Sequence, residues 1–260
     1  MENQSSKQKE AYCIFADFYD RLMSEKKYKA WNDLIAGTVK KYSIPRGVCL
    51  DIACGTGRIS GMMIKQGFQV VGIDKAEKMI DIARKNFPGA NFLKSDIRDF
   101  TVSEPDKAVM AVSFYDSLNY LLTDNDMLKM FKTVEKNLAP GAVFLFDMNT
   151  REHVAVSQKN KPKVFELEKE NLYTVFKFSG KGRTWILDID LFVKQNNGLY
   201  ELYKERHIER GYDEKDISLL LKKTGFQLLE VKKEYKTYED GKKHLSRLYF
   251  IVKKRLTKQP

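Results

Sequence analysis

Acidic side chains recur at the ends of short apolar segments in the first half of the chain. The first segment, 48–53, carries Asp51 and runs into a turn that contains Gly55 and Gly57. Glycines let a backbone approach a ligand closely, and the helix expected after them offers unpaired N–H groups. Asp51 either caps this turn or attracts a ligand that carries ammonium and sulfonium groups; it would repel a pyrophosphate. A dinucleotide-binding turn would have a third glycine at position 60, which is Ser60.

The next two apolar segments also end in acids. Asp74 closes the second segment, 69–74, where a carboxylate can accept hydrogen bonds from both ribose hydroxyls of a nucleoside. Asp96 and Ile97 close the third, where the carboxylate can accept from the exocyclic amine of an adenine and the apolar side chain can cover the ring. The three segments together predict a site for an unphosphorylated nucleoside.

The fourth apolar segment, 108–114, ends in a polar and aromatic cluster that runs from Phe114 to Tyr120. Asp116, Asn119 and Tyr120 are polar members of this cluster. Ligands bind at the carboxyl ends of strands in a doubly wound sheet, so the cluster is expected beside the reactive part of the ligand.

A strand–helix alternation positions these segment ends. Short apolar strands that alternate with helices predict a parallel sheet covered on both faces, and right-handed crossovers make it doubly wound. The predicted strands are 48–53, 69–74, 91–96, 108–114 and 142–149, and the predicted helices are 59–65, 78–86 and 127–138.

Two further regions flank this alternation. Apolar residues at helical spacing predict helices over 11–42. Alternating aromatic and β-branched residues predict an antiparallel meander, and a helix after position 212 and two closing strands follow it. The meander strands are 163–170, 172–179, 184–194 and 199–209, and the closing strands are 226–235 and 245–253. We expect a helical lid over 1–45, a Rossmann-like domain over 46–150 and 211–255, an inserted substrate cap over 151–210 and a tail over 256–260.

Composition restricts the partners. No apolar run in the 260 residues approaches the roughly 20 needed to cross a bilayer, and the polar N-terminus lacks a secretion signal, so we expect a cytoplasmic protein without a membrane partner. Three scattered cysteines and three distant histidines predict no metal site. The net charge of +11 permits nucleic acid as a partner, although lysines spread over surface helices favour a plainly solvated surface.

The whole pattern resembles the class I S-adenosylmethionine-dependent methyltransferases over about residues 11 to 255. It is similar to bacterial small-molecule enzymes with an N-terminal helical lid and an antiparallel β insertion after the fifth strand, such as amino-sugar N,N-dimethyltransferases and glycine N-methyltransferase. The resemblance rests on the segments 15–20, 51–57, 95–97 and 116–120 and on Asp74. It implies a Rossmann-like seven-stranded sheet of order 3-2-1-4-5-7-6.

The resemblance also implies a cofactor, S-adenosyl-L-methionine, with S-adenosyl-L-homocysteine as its product and no metal. The residues expected to hold the cofactor are Tyr12, Tyr19, Trp31, Asp51, Ala53, Gly55, Gly57, Asp74, Lys75, Met79, Asp96, Ile97 and Phe114. For Tyr12, Tyr19, Trp31 and Met79, plain packing against the sheet is an equal alternative.

The residues around the methyl group follow from the same resemblance. Tyr120 stands where amino-sugar enzymes have a histidine, and Tyr120 and Asp116 are the predicted catalytic residues. Predicted substrate contacts are Asn119, Asn149, Arg206 and His207.

The predicted activity is in-line transfer of a methyl group to a nitrogen or oxygen of a small molecule by a monomer or homodimer. An RNA methyltransferase is the main alternative, although the turn at 116–119 lacks the prolines typical of enzymes that methylate base amines, and no cysteine follows a proline. A non-catalytic cofactor-binding module and an NAD-dependent oxidoreductase are lesser alternatives; Asp51 and Ser60 argue against the latter.

Overall fold

A sheet of mostly parallel strands lies at the centre of the computed structural model, which describes residues 7–9, 11–102, 107–167, 172–238 and 241–256. The strands in chain order are β1 (Lys7–Lys9), β2 (Val48–Ile52), β3 (Gln69–Asp74), β4 (Asn91–Lys94), β5 (Ala108–Ser113), β6 (Leu138–Asn149), β7 (Lys163–Leu167), β8 (Leu172–Lys181), β9 (Thr184–Lys194), β10 (Tyr200–Arg210), β11 (Phe226–Thr237) and β12 (Lys243–Lys254). The α-helices are α1 (Ala16–Leu22), α2 (Glu25–Lys41), α3 (Arg58–Lys65), α4 (Glu77–Asn86), α5 (Asp124–Asn137), α6 (Arg151–Ser157) and α7 (Glu214–Leu221), and a 3-10 turn spans Ser117–Tyr120.

Among the described strands, seven form the central sheet in the order β4-β3-β2-β5-β6-β12-β11. β12 runs antiparallel to β6 and β11, and the remaining neighbours are parallel. Numbered by their own order in the sequence, these strands read 3-2-1-4-5-7-6, which confirms the predicted topology.

The central strands are buried on both faces because helices cover both sides of the sheet. Along β2, Leu50 and Ile52 face a core that includes Phe131 of α5. Cys49 faces the opposite core, which includes Trp31 of α2. The alternation of strand side chains therefore divides the apolar residues between a layer under α5 and α7 and a layer under α2 and α3.

A second sheet is built from the insertion between β6 and α7. Strands β7, β8, β9 and β10 pair antiparallel in that order, as the sequence predicts. β1, which the sequence pattern does not predict, extends this sheet by pairing parallel to β10, with Lys9 opposite Glu205. Residues 168–170 of the first predicted meander strand lie outside the described residues, as do 1–6 and 10 of the predicted lid and 257–260 of the predicted tail.

The N-terminal segment contains two helices, α1 and α2, within the region 11–42 that the sequence predicts to be helical. Met23 and Ser24 have extended backbone angles and separate α1 from α2. Residues 11–15 form turns instead of helix, because three of their N–H groups bond to the Glu205 carboxylate. The start of the lid is thus shaped by a partner almost two hundred residues away.

α6 is a helix that the sequence pattern does not predict. Thr150 caps it by accepting a hydrogen bond from the N–H of His153 at 2.9 Å. None of the helices in the described ranges is long and apolar enough to span a bilayer.

Alanine substitution at two helical glycines tests the packing of α3. A Cβ at Gly61 would lie 2.2 Å from Cε1 of Phe87, whereas nothing lies within 4 Å of a Cβ at Gly37 in α2. Each alanine gains about 1 kcal/mol of helix propensity. We expect Gly37→Ala to raise the free energy of unfolding by up to about 1 kcal/mol and Gly61→Ala to lower it by about 1–3 kcal/mol. Urea unfolding measures both, and equal changes in the two variants would contradict the packing.

Candidate functional site

A cavity of about 480 Å³ lies at the carboxyl ends of β2, β3, β4 and β5, and we call it the strand-end cavity. Parallel pairing brings these four ends to one edge of the sheet, and the N-terminal segment covers them. All residues expected to hold a cofactor line this cavity except Gly57. They are Tyr12, Tyr19, Trp31, Asp51, Ala53, Gly55, Asp74, Lys75, Met79, Asp96, Ile97 and Phe114.

Gly57 lies behind the cavity wall, directly before the first residue of α3. It has a φ of +81°, which a glycine adopts without strain. A Cβ at this position would lie 3.0 Å from Phe87 and 3.1 Å from both Ala83 and Phe92. The missing side chain therefore allows α3 to pack closely against the neighbouring helix and strand.

Asp51 is a carboxylate inside an apolar sheet and is only 2% exposed. The hydroxyl of Ser60 donates a hydrogen bond to its Oδ2 at 2.6 Å, so the residue that replaces the dinucleotide glycine anchors this acid. Burial raises the pKa of Asp51 to about 7 in spite of that bond. A cation in the cavity would favour the ionised form.

Asp74 links the end of β3 to the glycine-rich turn. Its Oδ2 accepts from the N–H of Gly55 and its Oδ1 accepts from the N–H of Ala76, both at 2.9 Å. Burial raises its pKa, against these two bonds. Each carboxylate oxygen can accept a second hydrogen bond, which leaves capacity for two ligand hydroxyls.

Asp96 has an arginine partner that the sequence interpretation omits. Arg98 donates to both oxygens of Asp96, at 2.9 and 2.6 Å, and to Asp126 at 2.9 Å. The Arg98 hydrogen bonds lower the pKa of Asp96. All three side chains line the cavity, so the acid predicted to read an adenine amine already shares its oxygens with a guanidinium.

Aromatic side chains from the N-terminal segment meet those at the end of β5. The Tyr12 hydroxyl lies 2.8 Å from the Tyr120 hydroxyl, which lies 2.8 Å from Nδ1 of His207. Rings of Tyr19 and Trp31 lie 6.1 and 5.0 Å from the ring of Tyr115. Tyr12, Tyr19, Trp31 and Tyr115 therefore both pack together and line the cavity.

Glu205 on β10 holds the N-terminal segment in place. Its carboxylate accepts from the N–H groups of Tyr12 (2.8 Å), Ile14 (2.6 Å) and Phe15 (2.8 Å). Burial raises the pKa of Glu205, but the adjacent His207 and these N–H groups outweigh burial and lower it overall. An ionised glutamate thus joins the lid to the insertion.

Asp116 does not line the cavity, because buried partners occupy its carboxylate. Arg247 of β12 donates to Oδ1 of Asp116 at 3.2 Å and to Asp147 at 2.6 Å. Asn149 donates to Oδ2 of Asp116 at 2.9 Å and to Glu209 at 3.3 Å. Burial, followed by the nearby Asp116 charge, raises the pKa of Glu209 well above its usual value.

The predicted substrate contacts fall into different places. Asn119 is fully buried, and its amide bonds to the backbone of Asn149 and Arg210, which ties the 3-10 turn to β6 and β10. His207 does not line the cavity, but it contacts two lining residues, with a hydrogen bond to Tyr120 and its ring 4.8 Å from that of Tyr12. Adjacent residues of a strand point to opposite faces, so Arg206 lies on the face of β10 opposite His207. Its side chain is half exposed and pairs with Asp188 at 2.6 Å.

Comparisons with known proteins agree with this geometry. Residues 49–141 match the methyltransferase domain family. The putative methyltransferase YqeM of Bacillus subtilis is 30% identical over 250 residues, which cover 95% of this chain and 98% of that protein. A solved S-adenosylmethionine-dependent methyltransferase from Clostridium acetobutylicum covers 93% of this chain and 96% of its own, with a TM-score of 0.77 at 23% identity. The chain belongs to the methyltransferases.

Other relatives of this methyltransferase act on small molecules, by their names. A Streptomyces venezuelae dTDP-3-amino-3,4,6-trideoxy-alpha-D-glucopyranose N,N-dimethyltransferase is 32% identical over 134 residues, which are 51% of this chain and 56% of that protein. In the described part of the methyltransferase, no group of three or more histidine, cysteine, aspartate or glutamate side chains is arranged to hold a metal ion.

Glu205 and Arg247, which contact the predicted site residues Tyr12 and Asp116, are residues that the sequence interpretation omits. Glu205, His207 and Glu209 alternate along β10 and share its buried face, so the period of two in a strand is a signal that identifies them together. Arg247 stands 131 positions from Asp116, and no local pattern connects them.

The Glu205→Gln variant tests the attachment of the lid. Glutamine presents one oxygen and one amide donor to three N–H groups, so at least one hydrogen bond is lost and the others lose their charge. We expect faster amide hydrogen exchange at Tyr12, Ile14 and Phe15 in this variant. Glu201→Gln, which lies four residues earlier on the same strand, is the control. Unchanged exchange in Glu205→Gln would contradict the attachment.

Proposed function

We propose that the methyltransferase transfers the methyl group of S-adenosyl-L-methionine to a nitrogen or oxygen atom of a small molecule. One observation carries the choice of a small acceptor. The reactive end of the strand-end cavity is walled by Tyr12 and Tyr120, and the segment that brings Tyr12 is fastened to the insertion by Glu205. An acceptor enclosed between the lid and the insertion has to be small.

The proposed cofactor pose follows the strand ends. The ribose hydroxyls bond to Asp74, the adenine lies beside Ile97 and Asp96, and the methionyl part lies along Asp51 and Gly55. The support is that all five line one cavity, in the order in which their strands pair. Asp51 then faces the ammonium and sulfonium charges, which offset the cost of its burial.

Methyl transfer is an in-line displacement in which an acceptor lone pair attacks the methyl carbon and the electrons of the C–S bond return to sulfur. The protein contributes alignment and exclusion of water, and the cofactor contributes the electrophile. Tyr120 is the proposed contact to the acceptor. Asp116 is proposed to act only indirectly, through the buried network that shapes the turn around Tyr120, since Arg247 and Asn149 occupy its oxygens.

The names of the relatives point to more than one kind of acceptor. The Streptomyces enzyme named above is an N,N-dimethyltransferase, and an Acidovorax ebreus trans-aconitate 2-methyltransferase is 28% identical over 132 residues. An amine and an oxygen acceptor therefore both belong in a direct test.

The test incubates the protein with methyl-labelled cofactor, a panel of small amines, hydroxy compounds and carboxylates, and total RNA. We expect S-adenosylhomocysteine to form with a small-molecule acceptor and no label to enter RNA. The proposal would be overturned if label entered RNA alone. It would also be overturned if the protein bound the cofactor but transferred methyl to none of the acceptors in the panel.

Asp74→Ala tests the ribose contact. Removing a buried charged acceptor is expected to weaken S-adenosylhomocysteine binding by about 2–3 kcal/mol, which is about 30- to 140-fold in Kd. Asp81→Ala, an exposed acid on the adjacent helix α4, is the matched control and should leave Kd unchanged. Calorimetric titration measures both, and equal affinities in the two variants would rule out the contact.

The pH dependence of binding tests Asp51. Because its pKa is raised to about 7, the acid is largely protonated at pH 5.5 and half ionised at pH 7. Over this range the α-amino group of the cofactor stays mostly charged. We expect the affinity for S-adenosylmethionine to rise about tenfold from pH 5.5 to 7, since the cation binds the ionised form. Asp51→Asn should abolish this rise; the same slope in both proteins would contradict the role of Asp51.

A further inference from the structure

A row of hydrogen-bonding groups leads from the cavity into the insertion. It begins at the Tyr120 hydroxyl, which lines the cavity, and continues to Nδ1 of His207 at 2.8 Å. The other ring nitrogen, Nε2, lies 3.4 Å from Oε2 of Glu205 and makes no other polar contact among the described residues. His207 is 3% exposed, and its hydrogen bond to the Tyr120 hydroxyl connects it to the cavity.

The direction of these hydrogen bonds follows from Glu205. This carboxylate is ionised and accepts three backbone N–H groups, so it favours a proton on the nearer nitrogen of His207, Nε2. Nδ1 then has a free lone pair and accepts from the Tyr120 hydroxyl. Tyr12 donates to Tyr120 in turn, and one lone pair of the Tyr120 oxygen remains for a ligand in the cavity.

We propose that Tyr120 and His207 form a proton relay that removes the proton released by the methyl acceptor. This inference rests on the proposed function. As the acceptor atom bonds to the methyl carbon, its X–H bond breaks and the proton passes to the Tyr120 oxygen. The original Tyr120 O–H proton moves to Nδ1 of His207. The C–S electrons stay on sulfur, and the imidazolium that forms lies beside the Glu205 carboxylate.

The surroundings favour a relay over a standing phenolate. Burial, followed by the charge of Glu209, raises the pKa of Tyr120 well above its usual value, so the phenol does not ionise by itself. Among the described residues, the titratable groups around His207 and Tyr120 are Glu205 and Glu209 of β10, Asp116 after β5, and Tyr12 and Tyr19 of the N-terminal segment. Arg247 is already paired with Asp147 and Asp116, so two carboxylates balance its charge.

The relay predicts the resting tautomer of His207. We expect nitrogen NMR of histidine-labelled protein with S-adenosylhomocysteine to show a neutral His207 with its proton on Nε2 and an unprotonated Nδ1. The chain has three histidines, and His207→Asn identifies the signals. Tyr120→Phe should shift the Nδ1 signal and leave those of His153 and His244 in place. A proton on Nδ1, or a charged His207 at pH 7.5, would overturn the relay.

Kinetics test the same proposal with the acceptor found in the labelled assay. Asn at position 207 can keep a hydrogen bond to Tyr120 but cannot take a proton. We expect His207→Asn to lower kcat about 100-fold and to change the acceptor KM less than about threefold. His244→Asn, which alters a histidine paired with Glu152 away from the cavity, is the control and should retain full activity. An unchanged kcat in His207→Asn would contradict the relay.

The two proposals fail in different ways. The tautomer is measured without an acceptor, so a wrong tautomer contradicts the relay and leaves methyl transfer intact. Absence of methyl transfer to every small acceptor contradicts the proposed function, whatever the tautomer.

Discussion

Parallel pairing of β2, β3, β4 and β5 is the constraint on which the rest of the site depends. Because neighbouring parallel strands end at the same edge, the residues that follow each strand have to converge. Asp51, Asp74 and Asp96 therefore stand along one cavity, although 45 residues of sequence separate the first from the last. Burial raises the pKa values of Asp51 and Asp74, whereas the hydrogen bonds from Arg98 lower the pKa of Asp96.

The second sheet extends the site in a different way. Glu205 concentrates one negative charge on three N–H groups of the N-terminal segment, and this charge-assisted set replaces the helical hydrogen bonds that the segment would otherwise make. Tyr12, which lines the cavity, is therefore held in place by a residue of the insertion. The same carboxylate lies 3.4 Å from Nε2 of His207, so one side chain contacts both the N-terminal segment and the residue behind Tyr120.

The parts of the fold that the sequence predicts are those with local signals. Apolar strands with glycine or acidic ends identify β2, β3 and the loops after them, because strand burial and turn chemistry are read within a few residues. β1 is three residues long and forms through pairing with β10, so no local pattern marks it. Residues 11–15, which the sequence predicts to be helical, form turns for a similar reason. Three of their N–H groups bond to the carboxylate of Glu205, which is distant in the sequence.

The candidate site divides along the same line. Asp51 and Asp74 are identifiable from position alone, whereas the partners that decide what Asp96 and Asp116 can do are side chains on other elements, Arg98 and Arg247. Residue type and position suggest that Asp96 contacts adenine and that Asp116 is catalytic. In the folded protein, Arg98 shares the oxygens of Asp96, and Arg247 and Asn149 occupy those of Asp116.

A crystal structure of the protein with S-adenosylhomocysteine tests the central claim most directly. The account predicts ribose hydroxyls within hydrogen-bonding distance of Asp74, the amino group on the side of Asp51, and the thioether sulfur directed towards Tyr120. A ligand whose ribose lies away from Asp74, or whose sulfur points away from the tyrosine pair, would contradict it.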